Sequence, residues 1–141
     1  MKGLFAVAVG LMVVGGAALA TWDEANVRGL FPYFQSGGDW FTALIFVNAS
    51  EETSDVVHIR FYDWRSGCSD TISDAYHIRQ REQLIVSSAP GVGTWIPTTC
   101  GYGYVLFRVV DGGFIHAYCV IYNRMTGCGY IVPAYRQDHG F

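Results

Sequence analysis

Lysine is almost missing from this chain: Lys2 is the only one. Its absence excludes mechanisms that need a lysine amine past the N-terminus, a Schiff base among them. It also removes a common guard against strand-to-strand pairing at sheet edges, although genomic drift toward arginine leaves the same gap. Charge of either sign is scarce, at 15% of residues, with nine cations against twelve acids. Losing Lys2 with a leader would make the balance one unit more negative. No basic stripe runs along the chain to follow a phosphate backbone, so nucleic acid is not an expected partner.

Close cysteine pairs are also missing. Cys68, Cys100, Cys119 and Cys128 contain no Cys-x-x-Cys, so neither a zinc knuckle nor a haem attachment is indicated. No window carries an amphipathic 3.6-residue period over three turns, which argues against long helices. Gly-x-Ser-x-Gly is absent, and Ser87-Ser88 ends a strand without an elbow. His58, His77, His116 and His139 include no two at ligand spacing within one element. The acid pairs Asp23-Glu24 and Glu51-Glu52 are adjacent in loops; glycoside hydrolysis needs two carboxylates facing each other across a cleft. Gly91-Val92-Gly93 and Gly101-Tyr102-Gly103 precede no helix, so a phosphate cradle is not supported. The expectation is a non-enzyme with no catalytic residue, no metal and no cofactor.

What the chain does have begins at its first residues. Met1-Lys2 is a short positive start, Leu4 to Leu19 is an apolar and small-residue run, and Ala18-Leu19-Ala20 is a small-x-small cleavage pattern. Residues 1–20 therefore read as a signal peptide, and the destination as secreted, periplasmic or cell surface. As a membrane anchor, Gly3 to Ala20 is near the minimum length and rich in Gly and Ala. No stable membrane span is expected after leader cleavage. No cysteine stands at the cut to accept a lipid.

A content of 51% hydrophobic and 16% aromatic residues excludes disorder and suits pleated, half-buried surfaces. Residues 21–34 read as an N-terminal arm or edge strand, with Pro32 barring a central-strand position. Trp40 to Asn48 is a strand apolar on both faces, buried on both sides or packed beneath a loop on one. Asp55 to Trp64 alternates, with Val57, Ile59 and Phe61 against His58, Arg60 and Tyr62. Short strands are expected around Tyr76–Ile78 and Leu84–Val86, then a long loop from Ser87 to Thr99. Tyr102–Val110 and Phe114–Tyr122 flank a turn at Asp111-Gly112, and Cys128–Tyr135 closes the series. This spacing predicts an all-β fold: one immunoglobulin-like antiparallel β-sandwich of seven or eight strands over residues 35–141. A small closed β-barrel is the alternative. The membrane kind is disfavoured because Trp40 to Asn48 does not alternate.

The cysteines read as disulfides, 68–100 and 119–128, the second across a hairpin turn. Four cysteines allow three connectivities, and spacing alone does not choose among them.

Two surface roles follow. Leu30, Phe31 and Phe34 would let the arm add itself as a strand to a neighbouring copy; pairing with its own sheet is the plainer alternative. The product of strand addition would be a homo-oligomer or filament of structural or adhesive character. Trp64 and Trp95 would offer a platform for stacking on a glycan, although such rings also serve as caps on the ends of a sandwich core. The sequon Asn48-Ala49-Ser50 matters only in a eukaryotic secretory route.

Overall fold

The computed structural model describes residues 21–22, 27–63, 73–95, 101–111 and 114–137. The strands are β1 (Thr21–Trp22), β2 (Arg28–Gln35), β3 (Trp40–Asn48), β4 (Asp55–Asp63), β5 (Ser73–Ile78), β6 (Gln83–Ser87), β7 (Thr94–Trp95), β8 (Tyr102–Val109), β9 (Ile115–Asn123), β10 (Gly129–Pro133) and β11 (Tyr135–Gln137). No helix occurs among the described residues.

Two sheets form. One holds six strands in the order β1-β9-β3-β6-β7, with β10 also on β9; the other is β11-β2-β8-β4-β5. The sheets remain separate ladders, so the closed-barrel alternative is set aside. Alternation explains the sandwich. In β8 and β9 every second residue is buried, and a period-2 apolar row lines one face of a sheet. The chain passes from the six-stranded to the five-stranded sheet between β10 and β11, at buried Ala134.

The core lies between the sheets. Phe31, Phe46 and Phe107 pack together with ring centroids 6.0, 5.0 and 5.2 Å apart, and Phe34 meets Phe61 edge-on at 5.3 Å. Gly29 lies under Phe107, where a Cβ would enter the ring. Two buried polar side chains help join the strands. Asn48 donates to Thr53 and Ile78 carbonyls at 2.8 and 3.3 Å and accepts from Ser50 N–H at 3.0 Å. Asp55 Oδ1 accepts from Val56, Val110 and Asp111 N–H groups at 2.6, 3.2 and 2.9 Å. Between the sheets, Thr42 Oγ1 donates to Gln35 O at 2.6 Å and accepts from Gln35 N–H at 2.9 Å.

Pro32 corrects one expectation. It lies in β2, a strand with a neighbour on each side. A bulge accommodates it: the β2–β8 register shifts between Phe31 and Phe34, and β11 reaches only Arg28 to Leu30. Proline is tolerated where the ladder needs no N–H. The bulge also turns both Phe31 and Phe34 inward, which an uninterrupted strand would not do at that spacing.

Candidate functional site

The segment expected to be an assembly arm is not free. Phe31 and Phe34 are 0% exposed in the chain's own core, and Leu30 is held between Leu106 and Tyr135. Strand addition through these three residues is corrected accordingly: the five-stranded sheet already uses their ladder positions. The sandwich therefore includes residues 28–35, ahead of the boundary placed at 35.

The 119–128 bridge is corrected too. Cys119 pairs in register with Val132, four positions along the strand from Cys128, or roughly 13 Å at 3.3 Å per residue. A disulfide needs Cα atoms within about 7 Å. Both thiols are free, Cys119 buried and Cys128 exposed. Burial pushes the Cys119 thiol from 9.0 up to about 12, which makes it a packing residue at neutral pH. Cys68, Cys100 and Trp64 lie outside the described residues, as do residues 1–20 and His139.

Asn48 is 0% exposed and its amide is hydrogen-bonded on both sides. The sequon is therefore closed in the folded chain. Trp40 packs against the core and meets Tyr130 at 6.4 Å, as the core-cap reading of the tryptophans expects. Trp95 is 52% exposed on the two-residue β7.

The feature that sequence reading did not isolate is the outer face of the six-stranded sheet. Registers assemble it in rows. Ile131, Val120, Ala43, Ser87 and Trp95 stand side by side across five strands. The next row is Pro133, Tyr118, Ile45 and Ile85. Gly129, Tyr122 and Phe41 form a third, with the Phe41 and Tyr122 rings 5.1 Å apart. Thr21, His116, Val47 and Gln83 form the fourth. None of these positions is Asp, Glu, Lys or Arg. Ile131 is 56% exposed and Phe41, Tyr118, Val120 and Tyr122 are half-buried, while Ala43, Ile45 and Ser87 in the middle of the rows are buried within the chain itself. The signal was present in β3, whose outward residues Phe41, Ala43, Ile45 and Val47 are as apolar as its inward ones. What covers that second face could not be read without the neighbouring strands.

With four strands about 4.8 Å apart and four rows about 6.8 Å apart, the face is on the order of 500 Å². Among the described residues, no group of three or more His, Cys, Asp or Glu side chains is placed to hold a metal. Comparison with protein-family models, with curated proteins and with solved structures gave no match.

Proposed function

We propose that this is an exported, non-catalytic structural protein, an immunoglobulin-like β-sandwich that associates with a second copy through the outer face of its six-stranded sheet. The observation that carries the reading is the uncharged set of rows centred on Val120 and Ala43. A twofold interface places a patch against itself, so the patch must be its own complement. With no Asp, Glu, Lys or Arg in its rows, the face meets this requirement without side-chain repulsion; the α-amino group of a chain beginning at Thr21 falls on its edge strand β1. Two such faces have a combined footprint of at most about 1,000 Å², below the standard size of a stable interface and suited to weak, repeated association. The apolar leader of residues 1–20 supports export.

Sedimentation velocity on residues 21–141 tests the association. The wild-type chain is expected to dimerise in the micromolar range, and Val120→Asp to remain monomeric with an unchanged circular dichroism spectrum. A monomeric wild type at high concentration overturns the reading, as does a Val120→Asp chain that associates equally well.

A glycan is the second reading, favoured by exposed Trp95 at the margin of the same face.

A further inference from the structure

The five-stranded sheet presents the opposite chemistry. Its outer face carries a row in which Arg28 stands opposite Arg108, and Arg108 opposite His58. Arg60 pairs with Leu106, two positions along the neighbouring strand, so it sits diagonal to Arg108. Like charges directly opposite one another on a sheet face are destabilising. Neither Arg60 nor Arg108 has an acidic partner among the described residues. The Arg60 guanidinium donates to Tyr62 Oη at 3.3 Å, which draws it along its own strand. Beyond it, the Tyr62 and Tyr104 rings stack with centroids 4.9 Å apart and planes 5° apart. A groove of about 300 Å³ runs between these groups, lined by Arg28, His58, Arg60, Tyr62, Leu106 and Arg108.

We propose that this groove binds an acidic glycan, a sugar chain bearing carboxylate or sulfate groups. Guanidinium forks match such oxyanions in bidentate geometry, and Arg60 and Arg108, which have no acidic partner among the described residues, offer two of them to the groove. Tyr62, held upright by its stack on Tyr104, lends the groove an apolar ring and a hydroxyl, which suit a sugar. The sequence carries no basic stripe to follow a nucleic-acid backbone beyond these arginines. The site is distinct from Trp95 and from the self-association face.

Titration of residues 21–141 with a sulfated glycan (heparin), a uronate polymer (polygalacturonate), neutral dextran and a single-stranded oligonucleotide tests the proposal. Heparin, polygalacturonate or both should bind, with affinity falling as salt rises, and dextran should not. Arg108→Gln should weaken binding about tenfold, and the Arg60→Gln, Arg108→Gln double variant about a hundredfold, the scale of one charged contact each. Trp95→Ala should bind as wild type. Circular dichroism and sedimentation of each variant separate a lost site from a lost fold. The proposal is overturned if neither acidic glycan binds, if the oligonucleotide binds more tightly than both, or if folded Arg108→Gln binds unchanged. Loss of binding in Trp95→Ala also overturns it.

Discussion

Removing the Asp55 carboxylate should destabilise the sandwich more than any surface change. Asp55 is fully buried at the start of β4 and accepts N–H groups from Val56, Val110 and Asp111. Val110 N–H also donates to Val56 O at 3.0 Å, so it keeps a partner when the carboxylate goes. The Val56 and Asp111 donors lose theirs. A donor left unpaired costs about 1–3 kcal/mol when buried, and these two are part-buried, which puts each in the lower half of that range. Asp55→Ala should therefore cost about 2–4 kcal/mol, against a typical domain stability of about 5–15 kcal/mol. Asp55→Asn keeps an acceptor oxygen and loses only charge assistance, so about 1–2 kcal/mol is expected. Urea unfolding followed by tryptophan fluorescence reads both values. With m of about 1.5 kcal/mol/M, the alanine variant should unfold roughly 2 M earlier than wild type. An alanine variant within about 1 kcal/mol of wild type would refute the reasoning. So would an asparagine variant as unstable as the alanine one.

Other outcomes follow from the same structure. The Cys119 thiol, pushed up to about 12, holds its proton more tightly folded than unfolded. Its contribution is complete below about pH 9 and is lost as pH rises toward 12, at up to about 1.4 kcal/mol per pH unit. Cys119→Ala should thus lose less stability than wild type between pH 9 and 11 by urea titration, and equal losses would contradict the assignment. At pH 8, a thiol reagent should label Cys128 quickly and Cys119 only after unfolding. In sequence, Cys68 follows β4 and Cys100 precedes β8, and the two are expected to pair. Non-reducing peptide mapping should find them joined, closing a loop that contributes about 3–4 kcal/mol; free thiols at both positions would remove that expectation. Phe31→Ala should cost about 3–5 kcal/mol as a core truncation, measured by thermal unfolding. A stable but non-associating variant would restore the free-arm reading.

The long strands were legible because their apolar periods are strong. Trp40–Asn48 is the strand expected, and the alternation from Val57 to Phe61 correctly separates core from surface. Residues 21–34 read as an arm or edge strand because Pro32 forbids an ordinary central strand; β2 pairs with its own sheet, the plainer alternative, through a bulge that nothing local announces. The 119–128 bridge failed for a similar reason. A hairpin brings two segments together, but the register decides which residues meet, and Cys119 meets Val132 instead. The two outer faces were hidden further, since each is assembled from strands distant in sequence. His58, Arg60 and Arg108 read as ordinary polar positions until β4 and β8 lie side by side with β2.

The central claim is that the six-stranded sheet meets its own copy face to face. Cross-linking with a short bis-maleimide, in a Cys128→Ser background, tests it most directly. A Val120→Cys chain should form covalent dimers, while Ala75→Cys, on the exposed outer face of the other sheet, should remain monomeric. Equal cross-linking at both positions, or dimers formed only through position 75, would contradict the account.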